Sequence, residues 1–459
     1  MLTFLKGFGV AFLAGGLLLG GVLFYSKFLG EDADPAAKMA DIFQAATERK
    51  KTPEELHNDA LKKSKNIKGL YMTADVAWDT GAGAKRLREN LVRIAEETEI
   101  NGLVIDVKEA CGEDYDAGRV KEFLKELREK DIWAIARIVV MSDASHIYTN
   151  PEWYITRKSK IRTGSSCVNK KRLQLKPDSN QPSITNNQLP ITSNVVFWQD
   201  KAGRFWVDPA SPGGREYILE FSKKMIDLGF DELQYDYIRF PSDGDVKNAI
   251  FPVWDRKTPM CAVMRDYFRF LSTGLREYKP DIILSADFFG YASIGLDTGI
   301  GQCLEALEDN FDYVSFMVYP SHYYSGFKMP ADPYRKLPIL NYTMAQSRAN
   351  PQDIVGRSMQ FARDFFDGKI STGTYPFSYI VACLTPSVAQ FCATLGVETK
   401  TRLRPWLEDF FHEEDCVAQR PCNAAKVRLQ IDAAENSDNH GWMLWNAANV
   451  YTESALKKE

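Results

Sequence analysis

The segment GFDELQYDYIRFP, residues 229–241, carries Gln234, Asp236 and Arg239 in a run that otherwise reads as a buried strand. Strand alternation puts Gln234, Asp236 and Ile238 on one face, with Tyr235 and Tyr237 on the other. A carboxylate on the inner face of an apolar strand is costly unless it is paired or used. Arg239 is the nearby cation expected to hold it ionised. A second carboxylate, Asp287, stands near the end of DIILSADFFG, residues 281–290. Cleaving a glycosidic bond takes two carboxyl groups on opposite sides of it, one charged and one protonated. Asp236 as nucleophile or base and Asp287 as general acid/base meet that demand by type, with Asp409, or Glu408 beside it, as a further candidate.

Such groups need a scaffold that brings separate strands to one mouth. Eight short runs rich in β-branched and aromatic residues begin near 69, 101, 132, 230, 281, 311, 402 and 440. Between several of them lie amphipathic patterns such as KRLRENLVRIAEETEI, GRVKEFLKELREK and MRDYFRFLSTGLREY. Strand–helix alternation to a count of eight predicts an α/β fold, a (β/α)8 TIM barrel, whose active face lies at the C-terminal ends of the strands. Those ends supply Asp106 and Lys108 (second run), Arg137 (third), Gln234, Asp236 and Arg239 (fourth), and Asp287 (fifth). Tyr319 and His322 follow from the sixth, Trp406, Glu408 and Asp409 from the seventh, and Trp445 and Asn446 from the eighth. Apart from the three catalytic candidates, these are expected to bind substrate, with Trp442 a further aromatic at the mouth. For any single Asp or Asn the competing role is helix capping, and for Asp236 a structural pair with Arg239.

Residues 158–195 lack periodicity and are rich in Asn, Gln, Ser, Thr and Pro, which predicts a long loop after strand three. A second insertion, 366–401, precedes strand seven. Phe8 to Tyr25 is an uncharged run of bilayer-spanning length fenced by Lys6 and Lys27. The expected order is therefore an N-terminal transmembrane anchor (1–30), a polar stalk (31–65) and the barrel (66–455). Eight cysteines, including the close pairs Cys383/Cys392 and Cys416/Cys422, fit disulfides and a barrel on the extracytoplasmic side of a cell membrane. A net charge of −4 gives no support to a nucleic-acid partner. Five histidines without HxH or HExxH spacing disfavour a metal-dependent hydrolase, and no cofactor motif is found: GxSxG and GxxxxGK[ST] are both missing. An aromatic content of 12% supplies flat surfaces for sugar rings as well as for packing, so a carbohydrate is the expected partner.

The blocks KGLYMTADVAW, NGLVIDVKEACGE, FWVDPASPGGREY, GFDELQYDYIRFPSDG, LSADFFGY, DYVSFMVYPSHY, LRPWLEDF and GWMLWNAANVYT run in order over residues 66–453. Together they resemble the putative glycosyl hydrolase domain family, glycoside-hydrolase-like barrels distantly similar to α-amylase-like and α-galactosidase-like ones. The resemblance implies a nucleophilic Asp at the end of strand four, matching Asp236, and an acid/base on strand five or six, matching Asp287 by position. A non-catalytic carbohydrate-binding scaffold on the same barrel is the competing expectation.

Overall fold

The computed structural model describes residues 50–157, 196–370 and 399–458, apart from 148, 325, 333, 438 and 439. Eight parallel strands close on themselves: β1 (Ile67–Met72), β2 (Gly102–Glu109), β3 (Trp133–Val139), β4 (Glu232–Asp236), β5 (Ile283–Phe289), β6 (Tyr313–Met317), β7 (Trp406–Glu408) and β8 (Gly441–Trp445). β1 pairs with both β2 and β8, which completes the ring and leaves it without a free edge. Closure is tight at Gly441, whose φ is 93° and where a Cβ would lie 1.9 Å from the Ile67 carbonyl oxygen. Only glycine fits there.

The longer helices that follow strands around the ring are α1 (Ala82–Glu97), α2 (Ala117–Glu129), α3 (Pro212–Leu228), α4 (Met260–Tyr278), α5 (Pro351–Phe366) and α6 (Asn423–Ser437). Local sequence sets their ends. Ser211 accepts from the Gly214 amide to cap α3, Pro212 opens it, and Gly229 closes it in the left-handed conformation. Asp116 caps α2 through the Arg119 amide. Between β5 and β6 no α-helix forms, and two 3₁₀ turns, Gly290–Ile294 and Leu304–Ala306, take its place. Strand seven is broken: Arg402–Leu403 pairs with the start of β6 and Trp406–Glu408 with its end. Pro405 sits at the break, where it has no N–H to give to a ladder.

Two apolar sets divide along the strand pleat. Leu103, Ile105, Leu233, Tyr235, Leu284 and Phe288 face outward and pack with helix residues such as Phe221, Tyr267 and Phe268. Ile67, Tyr71, Val104, Ile135, Trp406 and Met443 meet one another inside the ring. At its N-terminal end the interior holds an ion pair with both side chains fully buried, Arg404 to Glu232 at 2.8 Å, with Trp133 Nε1 also donating to Glu232. This floor is covered by the helix Pro53–Lys63: Ala60 and Leu61 pack on Ile283, Tyr313 and Trp133, and Ser64 follows it. Part of the segment expected to be a stalk, Pro53–Lys63, is thus a helix packed on the barrel. Among the described residues no helix is long and apolar enough to cross a membrane. The expected anchor, the loop 158–195, Cys383/Cys392 and nearly all of 366–401 lie outside the described residues.

Candidate active site

The C-terminal halves of the strands carry a connected set of polar groups inside the ring. In register, Asp106 of β2 lies beside Arg137 of β3, and Arg137 beside Gln234 of β4. Arg137 bridges two carboxylates, giving Nη1 to Asp106 Oδ1 and Nη2 to Asp236 Oδ2, each at 2.5 Å. The expectation that Arg239 would hold Asp236 is corrected here. The ion pair reaches across strands to Arg137, because β4 ends at Asp236 and the chain turns away. The turn is made by Tyr237, whose φ of 52° lies in the left-handed region and costs on the order of 1–2 kcal/mol. It directs the Tyr237 amide back onto Asp236 Oδ1 at 2.6 Å. The same break in alternation sends Ile238 to the outer apolar set instead of the face of Gln234 and Asp236.

Asp106 is completely buried and also accepts from the Tyr71 hydroxyl. Burial pushes its carboxyl up to about 8, against the pull of Arg137. Asp236 and Arg137 each keep 11% of their side-chain exposure, against none for Asp106. The reachable carboxylate of the pair is therefore Asp236.

The β4–β5 register, Gln234 with Ser285 and Tyr235 with Ala286, sets Asp287 beside Asp236 on the next strand. Asp287 Oδ1 accepts from Gln234 Nε2 at 2.5 Å and Trp406 Nε1 at 2.7 Å, while Oδ2 has no hydrogen-bond partner. Burial and then the adjacent charge of Asp236 raise its carboxyl well above the usual range, against Arg137 and the two donors. The site thus pairs a carboxylate held by a guanidinium with a neighbour biased toward its protonated form. Beside them stands an aromatic wall. Tyr319 stacks on Trp445 with ring centroids 6.0 Å apart, and Phe410 and Tyr71 lie against Trp445 at 5.2 and 5.8 Å.

A family model described as "Putative glycosyl hydrolase domain" matches residues 69–451. The chain belongs to that family. No curated protein matches it. Among solved structures, a hypothetical protein from Ruminiclostridium thermocellum ATCC 27405 is 24% identical over 48% of this chain and 96% of that one, with a TM-score of 0.33. The PgaB (BpsB) glycoside hydrolase domain from Bordetella bronchiseptica is 10% identical, covering 84% and 94%, at a TM-score of 0.44. Eubacterium rectale Amy13B is 10% identical, covering 83% and 66%, at 0.43.

In this glycosyl hydrolase domain the mouth unites Asp106, Arg137, Gln234, Asp236, Asp287, Tyr319, Trp406 and Trp445 from the sequence-derived set. Others lie apart. Past an irregularity in β2, Lys108 turns to the Val139 carbonyl and Asp143, with its ammonium over the ring of Tyr217 on α3. Glu408 is fully buried against Lys426 of α6 and accepts from the Ser321 amide and hydroxyl. Asp409 takes the amide and hydroxyl of Thr452, both at 2.7 Å, and Asn446 shapes the turn after β8 by donating to the Asp409 carbonyl. Both residues serve local structure, which removes Asp409 from the carboxyl pair. His322, by contrast, adjoins the mouth: it is exposed and lies against Tyr319 and Phe410 of the aromatic wall. Trp442 faces the helices, donating to Glu435, because alternation in β8 points Met443 and Trp445 the other way.

Sequence reasoning missed Tyr71, which the alternation of β1 could have placed inward with Ile67. It also missed Phe410 and Gln302, for which no local signal exists. Gln302 donates to the Asp287 carbonyl and accepts from the Phe289 amide, so it clasps the backbone on both sides of Phe288. Cys261, Asp297 and Cys303 come within metal-ligand spacing, but the two sulfurs are bonded to each other.

Proposed function

We propose that the barrel hydrolyses O-glycosidic bonds of a polysaccharide with Asp236 as nucleophile and Asp287 as general acid/base. The observation that carries this reading is the asymmetric carboxyl pair. Asp236 accepts from Arg137 and the Tyr237 amide, whereas Asp287 is raised by burial and by Asp236 and keeps Oδ2 uncommitted. In the first step Asp236 attacks the anomeric carbon, the glycosidic C–O bond breaks, and the Asp287 proton passes to the departing oxygen. In the second step Asp287 takes a proton from water, which attacks the same carbon and releases Asp236. Arg137 offsets the charge that Asp236 regains. The wall of Tyr319, Trp445 and Phe410 suits the apolar face of a sugar ring.

The proposed setting is extracytoplasmic, with Phe8–Tyr25 as membrane anchor. It is supported by the length of that run and by disulfide bonding of Cys261 to Cys303, of Cys416 to Cys422, and of Cys111. The full chain should release reducing ends from some member of a panel of α- and β-linked polysaccharides, and Asp236→Asn should abolish release while circular dichroism stays unchanged. Wild-type turnover in the Asn variant, or sugar binding without hydrolysis in either protein, would favour a carbohydrate-binding scaffold instead.

A further inference from the structure

Arg239 lies three residues beyond Asp236 and is 4% exposed. Its guanidinium stands over three aromatic rings: Phe289 at 4.4 Å, and Trp206 and Tyr237 at 5.0 Å each. Phe289 ends β5, two residues past Asp287. The cation therefore sits at the shared edge of the two strands that carry the carboxyl pair.

Among the described residues its one hydrogen bond runs from Nη1 to the Phe240 carbonyl at 2.9 Å, and no described carboxylate comes within ion-pair distance. Other buried arginines are matched. Arg137 has two carboxylates and Arg404 has Glu232. Arg215 spreads its donors over two backbone carbonyls, those of Pro209 and Val263. Arg204, the neighbouring cation, is spent on Asp200 and the Tyr237 hydroxyl and adds repulsion. Burying a guanidinium without a counter-ion is expensive, and contact with ring faces offsets only part of that cost. Burial pushes Arg239 down to about 10, outweighing the longer-range attraction of Tyr237, Asp236 and Asp243.

We propose that Arg239 receives an anionic substituent of the sugar bound at the carboxyl pair, making the substrate class an acidic glycan. With Nη1 engaged, the Nε–Nη2 edge remains as a planar two-donor fork, the shape that matches two oxygens of a carboxylate, sulfate or phosphate group. The identity of the sugar as substrate rests on the hydrolase reading; the anion site does not.

The test uses the full chain and two monosaccharides that differ at C6, glucose and glucuronate. Neither contains a glycosidic bond, so binding is read independently of turnover. Ligand-observed NMR at constant ionic strength should give glucuronate an affinity at least about tenfold above glucose, a difference an ionic hydrogen-bonded pair readily supplies. Arg239→Gln should bring the ratio to within about twofold, and Arg239→Lys, which keeps charge but loses the fork, should leave an intermediate ratio. Should the Gln variant fail to fold, the Lys variant carries the comparison. In separate arms, inorganic sulfate and inorganic phosphate should displace glucuronate if a tetrahedral anion fits the fork; displacement by neither narrows the class to carboxylates. Equal affinity for the two sugars in the wild type, or a ratio unchanged by both substitutions, overturns the proposal. A glucuronate preference that depends on Arg239 without hydrolysis of any glycan would retain the anion site and remove the hydrolase reading. Hydrolysis without the preference would do the reverse.

Discussion

Asp287 is the residue whose surroundings most constrain the chemistry. Its carboxyl is raised by burial and by Asp236, while Gln234 and Trp406 donate to Oδ1 and so favour the ionised form. Activity that needs the protonated acid persists below the pKa of Asp287 and fades as pH rises through it. Gln234→Leu or Trp406→Phe removes a donor to the charged form, so the pKa must rise further and the alkaline limb of kcat/KM must move to higher pH. A pH–rate profile of each variant checks this, and an unmoved limb, or one shifted toward acid, would contradict the assignment of Asp287 as the acid. The same linkage governs stability. Because the folded pKa is raised, Asp287 contributes fully below the unfolded value near 4, and that contribution is lost as pH rises through the folded pKa. Asp287→Asn, which cannot ionise, should therefore weaken the pH dependence of the urea midpoint on the alkaline side.

Elements decide where these residues meet. Asp236 and Asp287 occupy adjacent parallel strands and act on each other electrostatically; the proposed nucleophilic role of Asp236 requires the roughly 5–5.5 Å carboxyl spacing of retaining pairs, since the 6.5–9.5 Å spacing admits an attacking water. Proton NMR of the first-formed product should accordingly show the anomeric configuration of the substrate, and an inverted product would reassign Asp236 from nucleophile to base. The loop between β5 and β6 matters as much. Through Gln302 it holds the backbone around Phe288, and the bond between Cys303 and Cys261 of α4 tethers it. Gln302→Ala should lower kcat by up to about 10²-fold with KM little changed, since displacing a catalytic group by about an ångström is enough for that. An unchanged kcat would mean that β5 holds its end without the clasp. Periodicity made the eight strands and most helices legible, and strand-end position found most of the mouth. It failed where a backbone departs from its period. The left-handed Tyr237 redirected Ile238 and Arg239, the irregular end of β2 turned Lys108 aside, and Pro405 split strand seven. Partners far apart in sequence, such as Arg137 for Asp236 or Gln302 for Asp287, leave no local trace in composition or spacing.

At the scale of the molecule, the barrel is polar at both ends for different reasons. The mouth keeps an accessible carboxylate and an unmatched guanidinium, whereas the floor pairs Arg404 with Glu232 and seals them from water. A buried pair of this kind tolerates its desolvation only while its remaining donors are satisfied, and here residues before β1 help to satisfy them. Arg404 Nη2 donates to the Ser64 carbonyl, and two further bonds tie the same segment down beside the pair, one shared by the Ser64 and Tyr313 hydroxyls and one from Arg402 to the Leu61 carbonyl. A chain beginning at Ile67 loses all three. At roughly 1 kcal/mol each, before counting the apolar cover of Ala60 and Leu61, it should be about 3 kcal/mol less stable than one beginning at Lys50. Equilibrium urea unfolding of the two proteins makes the comparison, with β8 and β1 still able to close the ring in both. Coincident midpoints would show that the floor is sealed by the strands alone. A lower midpoint for the shorter chain, with Glu232→Gln in the longer one destabilising by about 3–5 kcal/mol through an unpaired Arg404, would establish that the helix ahead of the barrel belongs to its folded core.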